Sequence, residues 1–242
     1  MTKSRCISSY GMDMTEYATF FTYAPLSATT CAVTGCTASD PVSLLIPNRA
    51  PDGRLVTAVG DRAFAGCATL RTVTLSDSVE AVGTRAFAFC TGLLEVRVSS
   101  ESRLSSIGDR AFMGCERLTV LRFGALRGLS TLGRNAFAYC TRLRNVMLPE
   151  GIRELPPSLF EGCTALEYIR LPEGLTTLRA GVFSACASLR AVNLPSTVVS
   201  IEDCAFAWCA SLTDLHLPDT ACMISASAFM DCVRLGDILK VG

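Results

Sequence analysis

The frame A-F-x-x-C-x-x-L-x-x-V-x-L-P recurs eight times at intervals of 23 or 25 residues, from about Leu44 to the end of this 242-residue chain. Its phenylalanines are Phe64, Phe87, Phe112, Phe137, Phe160, Phe183, Phe206 and Phe229. Three residues after each stands a cysteine, from Cys67 to Cys232, and three further on a leucine, from Leu70 to Leu235. Self-similarity at a fixed period of this length is the signature of a solenoid. Each unit is one turn that cannot bury its apolar face alone, so the turns stack into a continuous core. A stack of turns presents a long surface, and such surfaces bind more often than they catalyse.

The turn around Cys163 shows the internal logic. Leu166, Ile169 and Leu171 end in the apolar–polar–apolar alternation of a half-buried strand. Pro172 closes it, because proline cannot donate to a ladder, and Glu173–Gly174 make the corner. Leu175 and Leu178 return to the core, and Phe183 and Cys186 then stand three apart, which suits one helical turn. The expected architecture is α/β, with about eight turns of 23–25 residues. A parallel sheet would form the concave face and short helical turns the convex face. About seven inward side chains gain roughly 10–15 kcal/mol gross per turn. Ordering about 23 residues costs more than that, so one turn does not fold by itself. The turns after Leu93 and Leu118 carry two extra residues each, between Ser99 and Leu104 and between Gly124 and Leu129.

Eight of the 13 cysteines occupy one position of the frame. In a stack with about 4.8 Å between strands they form a ladder of parallel Cβ vectors, whereas a disulfide needs Cβ atoms directed at each other. They are expected to be free thiols packed as small hydrophobes. No C-x-x-C occurs, and the Cys31 and Cys36 pair lacks a second pair at zinc-ligand spacing. Neither a metal nor another cofactor is expected. Free cysteines in this number favour a reducing compartment. The acidic residues Asp13 and Glu16 interrupt the region where a signal peptide holds its apolar core. A cytoplasmic location follows as the favoured expectation.

The 22 basic and 22 acidic side chains cancel. That argues against nucleic acid, which needs clustered positive charge, and against attachment to an anionic membrane surface. No stretch reaches the ~20 apolar residues of a membrane span. Residues 1–30 show no repeat and are expected to be partly disordered. Residues 31–242 form the solenoid, with a strand-rich cap over 31–46. A last strand is expected from Ile238 to Val241, where Lys240 replaces the inward leucine and discourages edge pairing.

The extended frame I/V-G-x-x-A-F-x-x-C-x-x-L-x-x-V-x-L-P resembles the BspA-like leucine-rich repeats, which occur in bacterial and protozoan surface antigens. Val59, Gly60, Ala63, Phe64, Cys67, Leu70, Val73 and Leu75 carry the resemblance in the first turn. Ile201, Ala205, Phe206, Cys209, Leu212, Leu215, Leu217 and Pro218 carry it in the seventh. The more familiar leucine-rich repeat has asparagine or cysteine just after the strand; here those places hold Ser78, Gly151, Gly174, Thr197 and Thr220. The resemblance implies an interaction scaffold, sometimes adhesive, and brings no catalytic residues with it. It also implies the alternative location, the cell surface or the exterior.

The outward strand positions are the ones the frame leaves free. In order they read Thr72/Thr74, Glu95/Arg97, Val120/Arg122, Asn145/Met147, Tyr168/Arg170, Ala191/Asn193 and Asp214/His216. A protein ligand on this face is the expected partner. Arg97, Arg122, Tyr168 and Arg170 are the preferred contacts, since arginine and tyrosine often dominate binding energy; Asn193 and His216 share the face. Asp214 before the single histidine could orient an imidazole, but neither G-x-S-x-G nor a glycine-rich phosphate loop accompanies it. The chain is read as a non-enzyme. Phe89, Tyr139 and Trp208 share one repeat position and either pack between turns or form an aromatic patch opposite the strands.

Overall fold

A computed structural model of the chain describes residues 13–38, 40–121, 123, 126–217 and 222–235. The turns stack in parallel as the frame requires. An eight-stranded sheet joins Ser43–Leu45, Thr72–Thr74, Glu95–Arg97, Val120–Leu121, Asn145–Met147, Tyr168–Arg170, Ala191–Asn193 and Asp214–His216 in chain order. Every neighbouring pair in it is parallel and in register by repeat position, as in Thr72↔Glu95, Met147↔Arg170 and Asn193↔His216. The central residue of each strand, such as Val73, Val146 or Ile169, is buried, and its neighbours on either side face outward.

The core behind this sheet is built from ladders. All seven inward side chains of the turn around Cys163 are buried. The eight frame phenylalanines stack from Phe64 to Phe229 with ring centroids 5.2–5.8 Å apart and planes within 25° of parallel. Beside them runs the cysteine ladder, and all 12 cysteines among the described residues are free. From Cys90 to Cys232, each frame thiol donates to the carbonyl of the preceding turn's phenylalanine, Sγ to O 3.0–3.3 Å. The frame position therefore wants a small apolar group that also carries a donor, which is what a thiol offers.

The helical turns expected opposite the strands do not form. Each A-F-x-x-C segment is instead a chain of tight turns, with bonds such as Ala65 N–H to Arg62 O and Cys67 N–H to Phe64 O. In seven of the eight segments two residues have positive φ, as in Arg85 (55°) with Phe89 (59°) and Asn135 (55°) with Tyr139 (60°). A right-handed helix cannot run through left-handed residues. The backbone finds partners in the next turn instead: Phe64 N–H donates to Ala86 O and Phe87 N–H to Ala111 O, each at 2.8 Å. The cause is simple. The i, i+3 spacing of phenylalanine and cysteine is shared by a helix and by successive i→i−3 turns, and stacking favours the form that bonds across turns.

A second row of short strands closes each turn, and it is broken once. Leu55–Val59, Ala81–Val82, Ser106–Ile107 and Thr131–Leu132 belong to a six-stranded sheet; Glu154–Leu155, Thr177–Leu178, Ser200–Ile201 and Met223–Ile224 form a four-stranded one. In the first group the next residue donates to the preceding turn, as in Gly83 N–H to Val59 O (2.8 Å) and Gly133 N–H to Ile107 O (2.7 Å). After Leu155 that residue is Pro156, which has no N–H to give. The ladder stops there and resumes with Arg179 N–H to Leu155 O at 3.1 Å.

Of residues 1–30, the described part, 13–30, contains a short helix, α1 (Met14–Ala18), and a strand, β1 (Phe21–Pro25). Asp13 caps α1 by accepting from Thr15 N–H. Strand β1 pairs antiparallel with β2 (Thr30–Cys36), and β2 then runs parallel to Leu55–Val59. Tyr17 is fully buried and its hydroxyl accepts from Leu45 N–H at 3.0 Å, tying this lead-in to the first strand of the large sheet. The expected strand at Ile238–Val241, with Lys240, lies outside the described residues.

Candidate functional site

The outward positions of the eight-stranded sheet form two adjacent columns, because parallel in-register pairing puts equal repeat positions side by side. One column reads Thr72, Glu95, Val120, Asn145, Tyr168, Ala191, Asp214, and the other includes Thr74, Arg97, Met147, Arg170, Asn193 and His216. The structure thus brings Tyr168, Arg170, Asn193 and His216 together on three successive parts of the sheet, all exposed. Arg97 lies three strands from Arg170 and is held by Glu95, Nε to Oε2 2.8 Å. Arg122 lies outside the described residues.

Residue-type preference missed the apolar members of this surface. Val120 (37% exposed), Met147 (52%) and Tyr168 (51%) stand on three consecutive strands of a mostly polar face. Met147 is directly paired with Arg170. The repeat register already placed Val120 and Met147 outward, so the available signal was a large apolar residue in a position that water should fill. At one side of the patch Arg144 approaches Glu167 at 3.7 Å.

His216 Nδ1 lies 3.2 Å from Asp214 Oδ1, with both side chains more than half exposed. The pair is oriented toward solvent on an open strand face, and no hydroxyl nucleophile is bonded to it among the described residues. Among these residues no group of three or more His, Cys, Asp or Glu is placed to hold a metal ion. None of their helices is long and apolar enough to cross a membrane.

On the opposite side, Phe89, Tyr139 and Trp208 each adopt positive φ and remain about half exposed. The Phe89 ring lies over Gly114 and the Tyr139 ring over Gly162, where a Cβ would sit 2.7 Å and 2.6 Å from ring carbons. The alternation of aromatic and glycine at this position is packing between turns. The Tyr139 hydroxyl also meets Glu161 Oε1 at 2.9 Å in the next turn, which raises its pKa.

The model of the BspA type leucine rich repeat region matches residues 51–125 and 130–239, in six copies. The chain belongs to the BspA-type leucine-rich repeat family. Among solved structures it is similar to a leucine rich repeat protein of T. pallidum, at 28% identity and a TM-score of 0.67, with 92% of this chain and 91% of that one covered. It is also similar to a leucine-rich repeat protein from Bacteroides ovatus, at 28% identity and a TM-score of 0.76. There 84% of this chain is covered and 53% of the other, so this BspA-type chain spans about half of that protein's length. No curated protein matches the sequence. Leucine-rich repeat chains are in general protein-interaction scaffolds, and the family is typically non-enzymatic.

Proposed function

We propose that this chain recognises a protein partner through the outward face of its eight-stranded sheet, centred on Met147, Tyr168 and Arg170. The observation that carries the reading is the exposed apolar patch Val120–Met147–Tyr168, which crosses three consecutive strands and both outward columns of a mostly polar face. Tyrosine, methionine and arginine are enriched where interfaces concentrate their energy, and an apolar centre with a polar rim is the usual anatomy. Asn193, His216 and Arg97 supply that rim, and the repeat frame of the sequence adds Arg122 to the reading. The strands are rigid elements, so little ordering is needed on binding. No cofactor takes part in this reading.

The test uses the full chain as bait in an extract of the cells that make it, with captured proteins quantified by mass spectrometry. Wild type is expected to retain a partner that Tyr168→Ala/Arg170→Glu loses while keeping the wild-type melting temperature. Equal capture by both chains contradicts the proposal.

The compartment belongs to the same proposal. Unpaired cysteines, including the half-buried Cys36, Cys204 and Cys222, favour a reducing environment; the family's surface antigens support the alternative outside the cell. Intact mass of the native protein, with thiols alkylated after unfolding without reductant, separates the two. Full alkylation supports the first location and disulfide-linked cysteines the second.

A further inference from the structure

A cleft of about 510 Å³ opens where the ends of the tight-turn segments meet the start of the large sheet, beside but not within the surface proposed above. Three arginines line it: Arg71, Arg117 and Arg142. Arg117 and Arg142 occupy the same position of successive turns, which sets their backbones about 5 Å apart. Two turns earlier than Arg117, Arg71 reaches forward across the intervening turn, and its Nη1 donates to Gly92 O at 3.0 Å.

Gly92 is what lets it do so. A Cβ there would stand 2.3 Å from Arg71 Nη1 and 2.1 Å from Ala68 O, so the guanidinium fills a notch that only glycine leaves open. Arg71 is therefore held in place with most of its N–H donors unused among the described residues. None of the three arginines lies within ion-pair distance of a carboxylate among the described residues, although Arg54, Arg97, Arg134, Arg144 and Arg179 each have such a partner. The single acid in the lining is Glu116, and Ala68, Thr91, Gly92 and Thr141 complete it. Three like charges gathered around one cleft repel each other unless an anion comes between them.

We infer that the Arg71–Arg117–Arg142 cleft is an anion-binding site for the carboxylates of an acidic peptide segment. Guanidinium forks match planar carboxylates in bidentate pairs. The local excess is small, three arginines against Glu116, and the whole chain carries 22 basic and 22 acidic side chains. A protein without net charge has no long-range field to draw in a dense polyanion. Three guanidinium groups suffice to hold one or two carboxylates in bidentate pairs. The site shares no residue with the sheet-face reading and stands independently of it.

Fluorescence anisotropy of a labelled peptide with three spaced glutamates tests the assignment, using the full chain at low and at physiological salt. The acidic peptide is expected to bind wild type, to bind at least about tenfold more weakly to Arg117→Gln/Arg142→Gln, and to weaken as salt rises. The same peptide with glutamines in place of glutamates is expected not to bind. Tyr168→Ala, on the other surface, is expected to bind it as wild type does. Circular dichroism and melting temperature check that the exposed double substitution leaves the fold intact. Absence of binding to wild type, equal binding by the double variant, or equal binding of the glutamine peptide overturns the site. Displacement of the peptide by inorganic phosphate or a sulfated oligosaccharide at lower concentration than by unlabelled peptide overturns its assignment to peptide carboxylates.

Discussion

Phe137 and its cysteine neighbours show what a single residue contributes to this stack. Its ring contacts Phe112 and Phe160 at centroid distances of 5.5 and 5.7 Å and Phe123 at 6.0 Å. Removing it opens a cavity that two flanking turns and a neighbouring ring cannot all collapse into. Phe137→Ala is expected to cost about 3–5 kcal/mol in denaturant unfolding, whereas Phe229→Ala, on a half-buried ring with one stacked neighbour, is expected to cost less. The thiols carry a pH dependence. Burial pushes Cys90 and Cys163 up to about 12 from an ordinary 9.0, and Cys115, Cys140 and Cys186 well above it. Their pKa is raised on folding, so their contribution is fully present below about pH 9 and is lost as pH rises toward the folded value. Between those limits each such thiol removes about 1.4 kcal/mol per pH unit. The melting temperature is expected to fall steeply above pH 9, and less steeply in Cys90→Ala/Cys163→Ala. Parallel curves for the two chains would contradict the assignment.

At the scale of elements, the turns are held by backbone bonds between neighbours, and the sequence marks where those bonds are close or missing. A Cβ on Gly133 would lie 2.3 Å from Asp109 N, while one on Gly128 would meet nothing nearer than 3.4 Å. Gly133→Ala is therefore expected to destabilise by about 2 kcal/mol or more, and Gly128→Ala by about 1 kcal/mol or less, in the same unfolding assay. Far-UV circular dichroism is expected to lack the helical minimum at 222 nm, since α1 is the one α-helix among the described residues. The strands and their register could be read directly from the frame, because the inward positions repeat without exception through Ile169 and Leu215. The turn segments could not. Phe183 and Cys186 are three apart in either conformation, and the deciding bond, Phe183 N–H to Ala205 O, lies in a different turn. The break between the two smaller sheets was present in the sequence as Pro156, but its meaning required knowing that this position donates across turns.

Taken whole, the molecule offers one large ladder sheet whose inner side is spent on the core and whose outer side is free. The two candidate sites were legible to different degrees. Tyr168, Arg170, Asn193 and His216 fell together because register alone decides which outward positions adjoin. Val120 and Met147 occupy outward positions too, but an apolar residue type does not by itself announce an exposed contact. The arginine cleft was hidden for another reason: Arg71 reaches Arg117's neighbourhood only through the notch at Gly92, a three-dimensional relation that no spacing expresses. Hydroxyl-radical footprinting of the chain with its captured partner decides whether the sheet face is the recognition surface. Met147 and Tyr168 are expected to lose reactivity in the complex while Tyr139 and Trp208, on the opposite side, keep theirs. Protection of Tyr139 and Trp208 with Met147 and Tyr168 unchanged would place recognition on the other face and contradict it.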